Sequence, residues 1–321
     1  ATFACWVGYD LDGRTDIDWR KSFILRLQEK RASLADIRER FLGLRSDLPA
    51  DGEAQRISRQ VTGKLDLTIA AVDEQIEALD KVMTANAALA DAANIITRSD
   101  GYNITTVEPI VGLLRALIEV LPAGKGKRGV AVLAGLMEAT GLGTAHIHVR
   151  INAVQLNNAF RAFVHEPWTR DLSESQALAR IVSMIEAARH ETVNFESLDL
   201  ETATAIRQFA LIAQIQKHVD RETPVRFLIA ETESPATVLI AVFFATLFGV
   251  DHITDVSPLF ETPLGLETGA RVIERLLEEK AYVNYVKRRK RLALQTGFSD
   301  AGRFVGQIAA TLAIERLHHG L

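Results

Sequence analysis

The sequence predicts a helix-rich α/β fold: an incomplete β/α barrel with a long antiparallel helical insertion. Three observations predict it. Short apolar strand-like runs alternate with helical segments through residues 143–321, the pattern of a parallel sheet. Residues 16–142 show helical periodicity alone. Each strand-like run also delivers a charged residue at its C-terminal end, where β/α barrels carry their sites. A closed barrel of this kind has eight strands, and about five are legible.

The first run is residues 3–9, "FACWVGY", ended by the turn "DLDG". Trp19, Phe23, Leu27, Leu34, Ile37, Phe41 and Leu44 then recur at helical spacing. Ile57, Val61, Leu65, Ile69, Val72, Ile76, Leu79 and Met83 do the same. The turn "RSDLPADGE" between the two predicts a helical hairpin. Helices are expected over 106–121, closed by Pro122, and over 127–141, closed by Gly141 and Gly143. "TAHIHVRIN" (144–152) is the second strand. Helices over about 153–164, 173–189 and 200–218 separate it from the third, "VRFLIAE" (225–231). "ESP" starts a helix over 235–248. "DHITDVSPLFE" and "RLALQTGFSD" are the last strands, separated by a helix over about 264–280 and the basic segment "KRRKR". A final helix is expected over about 301–318.

Apolar residues make up 48% of the 321, enough for a large core, and the net charge of −4 from 37 basic and 41 acidic residues excludes the basic excess of a nucleic-acid binder. The single cysteine, Cys5, precludes a disulfide within the chain and fits a reducing compartment. In its apolar strand it reads as inert core. The longest apolar run, 238–250, is too short to cross a membrane. Ala1 opens almost directly onto a strand and the chain stops within a helix, so a piece of a longer protein is expected.

The strand ends supply the candidate site: Asp10 with Asp12, Arg150, Glu231, Glu261 and Asp300. Helix caps account for acidic residues after strands. They do not account for Arg150, whose charge is wrong for a helix N-terminus, nor for Glu261, which precedes the better starts Thr262 and Pro263. Glu261 and Asp300 fall on neighbouring or near-neighbouring strand ends, close enough to share a hard divalent cation, and oxygen ligation favours Mg²⁺ or Mn²⁺ over Zn²⁺. On spacing alone a pair of caps fits as well. His146, His148 and Arg150 alternate onto one face and read as a polar column inside a barrel rather than as a metal site. "DLDG" lacks the later ligands of a calcium loop. "KGKRG" and "KRRKR" read as solvated turns or helix ends.

"PLFETPLGLE" followed by "TGFSDAGR" resembles two blocks of the phosphoenolpyruvate carboxylase family, P-L-F-E-T-x-x-x-L and G-Y-S-D-S-x-K-D-A-G. "WVGYDLDGRTDI" is similar to the family's W-M-G-G-D-R-D-G-N-P. "HIHVRINAVQ" stands where the family has L-D-I-R-Q-E-S, and "VRFLIAETESPATVL" where it has a strand and then M-x-x-x-P-S-D-V-L. The blocks keep the family's order and span most of the chain. The resemblance implies that residues 1–321 form part of one TIM-like barrel domain, in a cytoplasmic homo-oligomer that is a tetramer in the family. It implies a lyase reaction, anaplerotic carbon dioxide fixation for the tricarboxylic acid cycle: bicarbonate adds to phosphoenolpyruvate, giving oxaloacetate and phosphate, with Mg²⁺ or Mn²⁺. By this match Glu261 and Asp300 become metal ligands, Arg150 a ligand of the substrate phosphate, and Arg303 the counterpart of a lysine thought to hold bicarbonate. Trp6, Asp10 and Asp12 line the first loop.

The chain also departs from the pattern. Arg303 replaces lysine, Leu11 replaces arginine, Arg14 asparagine, Thr15 proline and Tyr9 glycine, and "VRINAVQ" lacks Q-E-S. The T-A-H-P block with the catalytic histidine and the H-G-R-G-G loop are absent from these residues; they are expected before Ala1 and after Leu321, so this chain alone is expected to be inactive. The competing expectations are a degenerate, non-catalytic homologue and another Mg²⁺-dependent barrel that uses phosphoenolpyruvate or pyruvate.

Overall fold

A computed structural model describes residues 3–14, 16–85, 87–164 and 174–321. Thr15 of the first block and Ser173, the expected start of a helix, lie outside the described residues. The chain divides into two units, one built on Trp19–His146 with Gln214–Thr223, the other on Ala4–Asp18, Ile147–Ala213 and Pro224–Leu321.

The first unit is helical: α1 (Trp19–Gly43), α2 (Gly52–Thr84), α3 (Leu89–Ile96), α4 (Glu108–Val120) and α5 (Lys125–Thr140). Ion pairs Arg31–Asp73 and Arg38–Asp66 link α1 to α2. Phe23, Leu27, Leu34 and Phe41 of α1 and Val61, Leu65, Val72 and Leu79 of α2 are buried at the expected spacing. The α2 seam departs from the expected one in its middle. Thr68 and Gln75 are buried, while Ile69 and Ile76 are only half-buried. The sequence run "ALADAANII", for which no helix was expected, forms α3.

The second unit carries a five-stranded sheet in chain order: β1 (Ala4–Cys5), β2 (His146–Asn152), β3 (Val225–Ala230), β4 (Thr254–Phe260) and β5 (Gln295–Thr296). β2 to β5 pair in parallel, with Arg150 beside Leu228 and Leu228 beside Ser257. The helices are α6 (Ala153–Phe163), α7 (Glu174–Ala187), α8 (Phe195–Leu200), α9 (Thr204–His218), α10 (Pro235–Leu247), α11 (Pro263–Leu277), α12 (Lys280–Arg289), α13 (Phe298–Val305) and α14 (Gln307–Gly320). The apolar run at 238–250 is a core helix, α10, buried on almost every side. Among the described residues no helix is long and apolar enough to cross a membrane.

Several expected elements are shorter or divided. Residues 3–9 do not form one strand. After β1 the chain turns, with the Tyr9 N–H donating to Trp6 O and Gly8 at φ +79°, before Asp10 bridges Arg150 in parallel. Cys5, expected in the core, is half-exposed. The expected helix over 200–218 is α9, which begins at Thr204, and α8 is a separate short helix before it. The basic segment is the end of α12, with Arg289 and Arg291 paired to Asp255. The final helix breaks at Gly306, whose φ of +83° ends α13 before α14 begins. Arg303 therefore sits in the last turn of α13, not the first turn of a long helix. A cation is favoured there by the helix dipole.

Candidate active site

The site lies in the second unit, on the C-terminal side of the sheet. Arg150 N–H donates to Tyr9 O at 2.9 Å and Leu11 N–H to Arg150 O at 2.8 Å. These bonds lace the first block onto β2 and bring Asp12 beside Arg150. Tyr9 and Leu11, both departures from the family pattern, are buried and anchor this segment. Arg150 Nη2 lies 2.9 Å from Asp12 Oδ2 and 3.7 Å from Glu261 Oε1.

Glu261 follows β4 directly. The helix after it is capped by Thr262, whose Oγ1 accepts from Gly265 N–H at 2.9 Å, with Pro263 at the first helical position. Glu261 is therefore no cap, and it is 5% exposed. Burial pushes its carboxyl up to about 7; the charges of Asp300 and Asp12 add to this, against the pull of Arg150 and the Glu231 N–H. That N–H donates to Glu261 Oε1 at 3.2 Å. On the other side Gly297 comes so close that a Cβ there would stand 2.6 Å from Glu261 Cβ and 3.0 Å from Oε2. Only glycine leaves room for this carboxylate.

Asp300 occupies the first turn of α13, where the helix dipole favours a carboxylate. It is near enough to Glu261 to raise its pKa. Arg303 Nη1 is 3.6 Å from Asp300 Oδ1, and its side chain is 77% exposed. Trp6 is partly exposed and stacks on His148, centroids 5.5 Å apart at 11°. Burial holds the His148 imidazole below its usual pKa, helped by Arg226 and Arg150 and opposed by Asp10.

The structure thus joins Asp12, Arg150 and Glu261 in one network, sets Asp300 within electrostatic reach, and leaves Arg303 reaching outward. Sequence reasoning missed three contributors: Gly297, the Glu231 backbone and the Trp6–His148 stack. The first had a signal, since "TGFSD" places a glycine directly after the strand. The other two had none.

The acidic residues fit a hard divalent cation through their chemistry. All the carboxylates are oxygen donors, and Asp10 Oδ1 is buried with no hydrogen-bond partner among the described residues. Among the described residues, no group of three or more His, Cys, Asp or Glu is gathered closely enough to hold a metal. Mg²⁺ commonly takes one or two carboxylates, with water and substrate phosphate completing the shell, so two ligands suffice.

The family model for phosphoenolpyruvate carboxylase matches residues 2–319. A phosphoenolpyruvate carboxylase of Hahella chejuensis is 24% identical over 337 aligned residues, covering 97% of this chain and 35% of that protein. One from a Marinomonas species is 29% identical over 121 residues, 38% of this chain and 13% of the relative. One from Chromohalobacter salexigens is 29% identical over 157 residues, 47% and 16%. The chain therefore spans about a third of the length of the relative that it matches almost end to end.

Proposed function

Because the chain belongs to the phosphoenolpyruvate carboxylase family, we propose that it carries part of a site that adds bicarbonate to phosphoenolpyruvate, giving oxaloacetate and phosphate. The observation that supports this most is Arg150. It is held between Asp12 and Glu261, yet its Nε is buried without a partner. A guanidinium with an unused donor suits a phosphate oxygen, which accepts from the arginine fork.

A divalent cation, Mg²⁺ or Mn²⁺, held by Glu261 and Asp300 would supply charge neutralisation at the substrate's phosphate and enolate oxygens. The remaining work falls to side chains. Glu261 must lose its proton to act as a ligand, and with its pKa about 7 it does so at neutral pH and above. Arg150 binds and orients the phosphate. Arg303, long and exposed beside Asp300, is the candidate to take the bicarbonate anion. Trp6 on His148 forms one wall, and a neutral imidazole adds no cation to compete with Arg150. The proposal extends to a cytoplasmic homo-oligomer, as the family resemblance implies.

A coupled assay with malate dehydrogenase tests the reading. The full-length protein should consume NADH only when phosphoenolpyruvate, bicarbonate and Mg²⁺ or Mn²⁺ are all present. No turnover by well-folded full-length protein would move the reading to the degenerate homologue, which the altered first block favours.

A further inference from the structure

Glu231 is a charged strand end whose carboxylate has been given no role, although its backbone N–H contacts Glu261. It stands four residues before Pro235, where the family pattern carries methionine. Its backbone is left-handed, with φ +56°, a conformation disfavoured for a residue with a Cβ. Such outliers persist only where surrounding contacts over-determine them. Two contacts do so here. Asn152 Nδ2 donates to Glu231 Oε2 at 2.9 Å, and the Glu231 N–H donates to Glu261 Oε1 at 3.2 Å. Asn152 is itself fixed, because its Oδ1 caps α6 by accepting from Val154 N–H at 2.8 Å. The tether therefore runs from the capped start of α6, through the Glu231 carboxylate, to a strained backbone whose N–H points at Glu261. With Gly297 closing the opposite side, Glu261 has little freedom left.

The geometry points to Glu231 as a positioning residue: its carboxylate, tied to Asn152, holds the left-handed backbone that fixes Glu261 for cation binding. This rests on the proposed role of Glu261 as a cation ligand. The carboxylate serves as a tether, not as a ligand, and three substitutions separate those roles. Glu231→Gln keeps an oxygen for Asn152. Glu231→Gly loses the tether but adopts positive φ freely. Glu231→Ala loses the tether and resists positive φ.

In the full-length protein, Mn²⁺ binding followed by electron paramagnetic resonance should weaken about tenfold or more in Glu231→Ala, the scale of losses behind a metal ligand. The Gln and Gly variants should stay within about threefold of wild type. Hydrogen–deuterium exchange at the Glu231 amide should quicken in Glu231→Ala and in Glu261→Ala, which lacks the acceptor oxygen, and stay slow in Glu231→Gln. Wild-type Mn²⁺ affinity in Glu231→Ala, or a Gly variant as weak as the Ala variant, overturns the inference. If wild type binds no Mn²⁺, the proposed function falls, and the exchange data alone decide the positioning: unchanged exchange in both Glu231→Ala and Glu261→Ala overturns it.

Discussion

Each unit sets an arginine among carboxylates, fully buried in the helical unit and partly exposed in the sheet unit, and the two clusters are finished differently. In the helical unit, Arg26 Nη2 lies 2.5 Å from Asp220 Oδ2, and Nη1 donates to Glu29 at 2.5 Å and to Ala145 O at 3.0 Å. Asp220 also accepts from the Thr223 hydroxyl and from the N–H groups of Glu222 and Thr223. Lys30 donates to Ile104 O and Val219 O. Burial opposes ionisation of Asp220, but Arg26 and these donors hold its pKa below the usual value. In the sheet unit, Arg150 has contacts at 2.9 and 3.7 Å, and Asp10 Oδ1 in the chain's first block is buried without a hydrogen-bond partner among the described residues. There Glu261 is pushed up, not down. Buried polar groups are normally satisfied. The cluster closed by short, fully buried ion pairs reads as structure, and the looser, partly exposed one as a place kept for a ligand.

The comparison breaks most visibly in stability. Arg26→Ala or Asp220→Ala leaves a fully buried charge without its partner, a loss of about 3–5 kcal/mol. Arg150→Ala should cost less than about 2 kcal/mol, since its partners touch solvent or take up a proton. Urea unfolding of the variants measures this. Equal losses at Arg26 and Arg150 would mean that both clusters are structural.

Cation binding should show the reverse order. Glu261→Gln or Asp300→Asn should weaken Mn²⁺ by at least about tenfold, with Asp220 variants unchanged per folded molecule. Glu261→Gln should not lower stability at pH 8, because it removes a carboxylate that burial disfavours.

The pH dependence sharpens the contrast further. Glu261 has a folded pKa of about 7 against an ordinary 4.5. Between those values the folded state holds a proton that the unfolded state lacks, so stability falls as pH rises through the window. Lys30 is lowered by burial to about 8 from 10.5. Between those values the unfolded state holds the extra proton, so stability rises with pH. Each slope is at most about 1.4 kcal/mol per pH unit. Thermal unfolding against Glu261→Gln and Lys30→Met as references isolates them, and a flat difference in either window removes that group from the account.

Much of this was legible in the sequence. The sheet was legible because β3 and β4 are short apolar runs stopped directly by Glu231 and Glu261, and β2 carries Arg150 near its end, whereas β1 and β5 are two-residue pieces of the longer runs expected there. The α2 seam was misread at Thr68 and Gln75. Spacings of four and three through Val61, Leu65, Thr68, Val72, Gln75 and Leu79 bury two polar residues that apolar counting passes over. The break at Gly306 was missed because "RFVGQIAATLAIE" keeps helical periodicity through a glycine, and only the backbone angle reveals the stop. The Glu231 contact was invisible because a backbone N–H carries no side-chain signature. Asp300 was assigned to a strand end because "QTGFSD" reads as one extended run, whereas pairing stops at Thr296.

The smallest stability effect belongs to Arg303, and it decides the most about chemistry. Its side chain is 77% exposed, and its partner Asp300 stands 3.6 Å away, one helical turn back. Exposed pairs of this kind contribute about 0–1 kcal/mol, so Arg303→Ala should unfold within about 0.5 kcal/mol of wild type. Solvent screens the pair, so nothing structural requires the charge. If the charge is kept for an oxyanion, removing it should raise the bicarbonate KM about tenfold or more, the usual cost of one lost charge-assisted hydrogen-bonding group. The phosphoenolpyruvate KM, which the proposed function assigns to Arg150, should change little. Arg303→Lys keeps a point charge but loses the planar fork, so it should fall between the two. A bicarbonate KM unmoved in both variants would leave Arg303 as a solvated helix-end cation, and the bicarbonate contact would have to come from elsewhere in the protein.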